Sequence, residues 1–213
     1  MKYIIMAGGQ YNDWETPRQL LEINGEAIIA RTIRLLKENG IDDIYITANG
    51  SYWEFAKHAP VILHENKYTT RDYRIVGGHW NECFYITDNP TCYIFGDVVF
   101  SPEATKKIIE TPTDDIEFFA SAPPFDKRYI KPWAEPFAFK VTDAEHLKRA
   151  IEETNRLELE GRFNRKPIAW ELWQVIKGTP INQIDYTNYT VINDYTCDID
   201  HKNDIWKMRE VMR

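Results

Sequence analysis

The chain has 213 residues, with 26 Lys and Arg against 33 Asp and Glu and a net charge of −7. That balance argues against a protein built to grip nucleic acid or an anionic membrane, and 43% hydrophobic with 28% charged residues argues against wholesale disorder. A chain this long buries roughly 70% of its unfolded surface, so it needs no disulfide or structural metal to fold.

Residues 3–6 are a short apolar run closing on Gly8-Gly9, the pattern of a buried strand ending in a loop. Residues 27–39 repeat apolar side chains at helical spacing and stop at Gly40. Strands are expected at 41–48 and 61–63, a short helix at 51–58 and another helix at 75–86. The fully apolar strand 92–95 ends at Gly96-Asp97. Ser101 then caps a helix to 109, with Pro102 in its first position and Glu103 at the positive end of its dipole. Strand and helix alternating over the first 110 residues predict a parallel sheet. Beyond it, strands are expected at 116–121, 136–141 and 190–192, and helices at 144–159, 168–176 and 203–211. No repeat or linker marks a boundary, so one α/β domain is expected, with a mixed, mainly parallel sheet and helices on both faces.

The cysteines, Cys83, Cys92 and Cys197, have no metal-type spacing and read as reduced thiols in a cytoplasm. No run approaches the roughly 20 apolar residues of a membrane helix, and no secretory leader is legible. A soluble cytoplasmic protein is expected. The five histidines, at 58, 64, 79, 146 and 201, show no ligand spacing and read as structural or surface groups.

Two segments are candidates for chemistry on position alone. Ala7, Gly8 and Gly9 follow the first strand, where backbone N–H groups can approach a phosphate, although a plain tight turn uses the same residues. There is neither a Walker A motif nor a G-x-G-x-x-G, which speaks against P-loop and dinucleotide-binding proteins. Asp97 stands just past a central strand, where α/β sheets place ligands, or else is a loop cap.

The opening through residue 50 resembles nucleotidyltransferases of the GT-A-like fold on Ala7, Gly8, Gly9, Pro17, Leu20, Leu21, Asn24 and Gly25. Arg18 stands where that family usually has a lysine, and Gln10 to Trp14 replace its usual Gly-x-Arg. The segment Ile94-Phe95-Gly96-Asp97 with Ser101-Pro102-Glu103 looks like the family's metal-binding Gly-Asp segment. The run Cys197-Asp198-Ile199-Asp200 is similar to its closing acidic motif. The resemblance implies a nucleotide-binding half (1–110), an acceptor-binding half (111–196) and a closing segment with the C-terminal helix (197–213). It also implies transfer of NMP from an NTP, CTP favoured, to a sugar phosphate or amino-alcohol phosphate, with release of pyrophosphate. Mg2+ would sit on Asp97 and Asp200, with Asp198 as the substitute, because carboxylate oxygens are the hard ligands it prefers. Arg18 would hold the pyrophosphate, Gly8 and Gly9 the phosphates, and Lys131 the acceptor phosphate. Arg71, Gly77 and Gly78 would lie near the base, unless they form a surface turn.

Expected partners are the two substrates alone, with no nucleic acid or membrane, in a monomer or homodimer. A GT-A-like glycosyltransferase would usually carry Asp-x-Asp where this chain has Asp97-Val98-Val99, and a non-catalytic binding protein of the same fold is the other alternative. The proline-rich, basic loop 123–135 reads either as an acceptor pocket or as a packed connection. Trp133 with Glu135, and Trp170 and Trp173 around Glu171, either form a cage for an amine or, for the helical pair, line a buried stripe.

Overall fold

The computed structural model describes residues 1–8, 15–49, 52–64 and 79–212. Among them, seven strands form one sheet in the order β10-β8-β9-β6-β1-β4-β5. These are β1 (Lys2–Met6), β4 (Ile44–Ala48), β5 (Val61–Leu63), β6 (Thr91–Phe95), β8 (Ile116–Ser121), β9 (Pro136–Val141) and β10 (Thr190–Ile192). Only β9 runs against its neighbours β6 and β8, while the other pairings are parallel. Central parallel strands are covered on both faces, which is why β1 and β6 are apolar almost throughout.

Helices α1 (Ile28–Glu38), α2 (Tyr52–Phe55), α3 (Pro102–Glu110), α4 (Ala144–Leu159), α5 (Ala169–Lys177) and α6 (Lys202–Val211) complete the framework. Successive residues of β9 show that the sheet is covered on two sides, because side chains alternate along a strand. Phe139 packs against Trp173 of α5, whereas Lys140 Nζ donates to the carbonyls of Ile108, Ile109 and Thr111 at the end of α3. Ser101 Oγ accepts the Ala104 N–H at 2.8 Å, the cap expected for α3. No helix among the described residues is long and apolar enough to cross a membrane.

Two expectations need correction. The helix at 75–86 is replaced, in its described part, by one 3-10 turn at Trp80–Cys83. Phe84 leaves it in extended backbone, and the Tyr85 carbonyl accepts from the Tyr93 hydroxyl at 3.0 Å, which ties this segment to β6. β4 begins at Ile44 rather than 41, because the Ile41 N–H still closes the end of α1 on the Leu36 carbonyl at 3.1 Å.

Two small sheets were not anticipated as pairings. Strands β2 (Glu22–Ile23) and β3 (Glu26–Ala27) form a hairpin through Asn24-Gly25, both at positive φ as a two-residue hairpin turn demands. Strands β7 (Val98–Val99) and β11 (Cys197–Asp198) pair antiparallel, joining segments a hundred residues apart in the chain. A second core of Ile23, Ile28, Val99, Ile130, Cys197, Ile199 and Met208 binds the hairpin, this pair, the 130 loop and α6 together.

Candidate active site

The chain leaves β1 toward β4 on one side and later returns to place β6 on the other. The crevice beyond the ends of β1 and β6 is therefore the switch point at which such sheets place ligands. Met6 and Phe95 are aligned there, so Ala7-Gly8 and Gly96-Asp97 emerge side by side. The Ala7 N–H bonds the Thr47 carbonyl at 2.8 Å, so Ala7 continues the sheet and Gly8 is the first residue beyond it. Gly96 is required by contact: its N–H bonds the Met6 carbonyl at 3.0 Å, and a Cβ there would lie 2.6 Å from the same oxygen.

Pairing of β11 with β7 then carries the closing segment to this crevice, and the Ile199 N–H bonds the Asp97 carbonyl at 3.0 Å. Arg18, 5% exposed in the 3-10 turn Arg18–Leu20, forks across two carboxylates. One terminal nitrogen reaches Asp97 Oδ2 at 2.7 Å and the other Asp200 Oδ1 at 2.5 Å, the latter also bonding the Ile199 carbonyl at 2.7 Å. Lys131, 1% exposed, reaches Asp200 Oδ2 at 2.7 Å, pairs closely with Asp198, and lies 3.3 Å from Glu135 Oε1. Arg128 holds the other Glu135 oxygen at 2.8 Å and also donates to the carbonyls of Trp133 and Thr196. Asp204 Oδ2 accepts the N–H groups of Asp200 and His201, which fixes the turn that presents Asp200.

Burial pushes the Asp97 carboxyl up, reinforced by Asp198 and Asp200 against the opposing Arg18. Asp198 is raised further, by burial and by its hydrogen bond with Glu135. Burial acts in the same direction on Asp200, but Lys131 and Arg18 outweigh it and hold this carboxyl below the usual range. For Lys131, burial disfavours the charge, yet Asp198, Glu135 and Asp200 raise its pKa overall.

The fold thus brings together Gly8, Arg18, Asp97, Lys131, Asp198 and Asp200. Gly9, Arg71, Gly77 and Gly78 lie outside the described residues. As a ligand set, Asp97 and Asp200 fit Mg2+: two oxygen-donor carboxylates sit beside one another on a single guanidinium, and Mg2+ commonly takes one or two carboxylates with phosphate and water. Asp198 instead groups with Glu135 and Cys197, whose ligand atoms all lie within 4.8 Å of one another. Burial raises the Cys197 pKa, which keeps it a thiol, and it bonds Glu135.

The amine cage is not formed. Trp170 and Trp173 are each 2% exposed and pack on Phe118, at centroid distances of 5.0 and 5.6 Å. Their spacing of three places them on the buried stripe of α5. Glu171 is bound by Arg165 at 2.5 Å and accepts the Ile168 N–H at 3.0 Å, so it caps α5. Only Trp133 of the group is exposed, with Lys131 Nζ 5.9 Å from its ring centre. Sequence reasoning missed the Arg128–Glu135 pair. An acid ending a loop with three basic residues was its one visible trace. His79 and His146 pair with Glu158 and Asp115, away from this cluster.

No family model matches the sequence, and no curated protein does. Among solved structures, the CTP:phosphocholine cytidylyltransferase of Streptococcus pneumoniae superposes with a TM-score of 0.56 at 18% identity, covering 100% of this chain and 99% of its own. The inositol-1-phosphate CTP transferase of T. maritima gives 0.54 at 14% identity, covering 100% and 96%. HddC from Yersinia pseudotuberculosis, complexed with GMP-PN, gives 0.52 at 14% identity, covering 100% and 99%. At these identities the likeness speaks for architecture, and it spans whole chains on both sides. The chain has the fold of the nucleotidyltransferases.

Proposed function

We propose that this chain transfers an NMP from an NTP to a phosphorylated small molecule, with release of pyrophosphate. The observation that carries the reading is the convergence of Arg18, Lys131, Asp97 and Asp200 at the switch point of a sheet with this fold. CTP is the first donor to test, since two of the similar structures are named for its use. The acceptor class is a sugar phosphate or an alcohol phosphate.

In this reaction an acceptor phosphate oxygen forms a bond to the α-phosphorus while the bond from that phosphorus to the bridging oxygen of the leaving pyrophosphate breaks. The attacking oxygen is already ionised, so no general base is needed. The obstacle is repulsion between anions, and a site lowers it by positive charge and in-line placement. Gly8, with no side chain, lets the triphosphate approach the backbone at the end of β1. The planar fork of Arg18 suits two phosphate oxygens and would hold the leaving pyrophosphate. Lys131 would orient the acceptor phosphate. Asp97 and Asp200 would hold Mg2+, which when bound supplies charge neutralisation at the α-phosphate.

The test is pyrophosphate release over a panel of NTPs with sugar phosphates and alcohol phosphates, in Mg2+. Acceptor-dependent release supports the reading. Release of nucleoside diphosphate from a nucleotide sugar would replace it with a glycosyltransferase, and binding without turnover would replace it with a sensor.

A further inference from the structure

Every carboxylate of the candidate metal site is already paired with a cation from the chain itself. Asp97 Oδ2 and Asp200 Oδ1 are held by Arg18, and Asp200 Oδ2 and Asp198 Oδ1 by Lys131. Asp200 therefore has one side-chain cation on each of its two oxygens, and any added cation must share or take an oxygen that one of them holds. Neither cation is a solvated surface group, being 5% and 1% exposed. With Asp204, whose Oδ2 lies 3.6 Å from Lys131, four aspartates face these two cations, and Glu135 is balanced by Arg128. A doubly charged ion added to that cluster would face two buried positive groups at close range, so binding it requires that they move.

We infer that Arg18 and Lys131 are internal counterions that occupy the metal's carboxylates in the substrate-free protein and pass to the substrate phosphates when a divalent cation takes those oxygens. The phosphate half of this exchange rests on the transferase reading, while the metal half does not. Glu135 makes the exchange feasible for Lys131. It stays within 3.3 Å of Nζ and is fixed from behind by Arg128, so the lysine can leave Asp200 without becoming a buried unpaired charge. Two consequences follow: the free chain binds a divalent cation weakly, and removing the charge of Lys131 tightens that binding.

The experiment is a titration of the full chain with Mn2+ in the absence of any nucleotide, reading free Mn2+ by electron paramagnetic resonance. Lys131→Met is expected to bind Mn2+ at least about 10-fold more tightly than the parent, and Lys131→Arg to bind like the parent. Equal or weaker binding by a Lys131→Met that keeps the parent's circular dichroism overturns the proposal. If that variant does not fold, the parent and Arg18→Gln decide it. Tight Mn2+ binding by the parent, or no gain in Arg18→Gln, overturns it as well. Because no NTP is present, the two readings separate. Tightening in a protein that never releases pyrophosphate leaves the counterions standing and removes the transferase, whereas transfer without tightening does the reverse.

Discussion

A single methyl group at Gly96 should loosen the crevice that the candidate site depends on. In Gly96→Ala the added Cβ lies 2.6 Å from the Met6 carbonyl oxygen and 3.1 Å from Gln19 Cγ. The first contact is with backbone of the central strand, which cannot rotate away as a side-chain tip would. Relief comes only by parting the ends of β1 and β6, which stretches the 3.0 Å bond between the Gly96 N–H and that same oxygen. Overpacking of this kind costs about 1–3 kcal/mol. For a domain of this size each kcal/mol shifts Tm by roughly 2–4 °C, so a fall of about 2–12 °C is expected. The assay is thermal unfolding followed by circular dichroism, with Gly25→Ala as comparison. Gly25 has φ +83 but nothing within 4 Å of a new Cβ, so its cost is left-handed strain alone, about 1–2 kcal/mol. Because Asp97 is the next residue, Gly96→Ala should also weaken nucleotide binding, and Gly25→Ala should not. A Gly96→Ala protein with the parent's Tm and nucleotide affinity would refute the argument.

Arg18→Ala removes the fork that joins Asp97 to Asp200, and should raise the NTP concentration needed for half-saturation and slow turnover. Arg18→Lys should be milder, since a point charge remains but cannot bridge both carboxylates; an Arg18→Ala that titrates like the parent would make the residue structural only. Trp170→Ala empties a core site against Phe118 and should cost about 3–5 kcal/mol in urea unfolding, while a conservative Trp173→Phe should leave acceptor preference unchanged. Arg34 holds the Glu26 carboxyl below its ordinary value of 4.5, by hydrogen bonds to both oxygens. The unfolded chain therefore takes up this proton first on acidification. The pair's contribution is present above about pH 4.5 and is lost as pH falls through the folded value. Glu26→Gln should remove about 0.2–1 kcal/mol at pH 7 and less at pH 3, as urea unfolding at the two values will show.

Local patterns in the chain specify most of the framework. Strands 116–121, 136–141 and 190–192 and the helix 144–159 have the bounds expected from their apolar spacing, because each is decided by neighbours within a few residues. The site is legible to a different depth. Asp97 follows a recognisable central strand, and Ser101 announces the helix after it. What brings Asp198 and Asp200 to Asp97 is the pairing of two-residue strands 98–99 and 197–198, too short to show any period and joined only in the folded chain. Glu135 is visible beside Trp133, but its burial is decided by Arg128 and Lys131 closing on it across an irregular loop, where no period announces a pairing. Trp170 and Trp173 show the opposite risk. Aromatic density beside an acid suggested a binding cage, but a spacing of three on an otherwise apolar helix is first of all a core stripe, and the acid is its cap.

The central claim is that a metal-dependent transfer takes place around Asp97. Asp97→Asn keeps the shape of the side chain and removes its charge, and pyrophosphate release with the preferred NTP and acceptor in Mg2+ reads the consequence directly. The account predicts a fall of at least about 100-fold in a variant that keeps the parent's circular dichroism and thermal transition. Release at the parent's rate from that folded variant would contradict it.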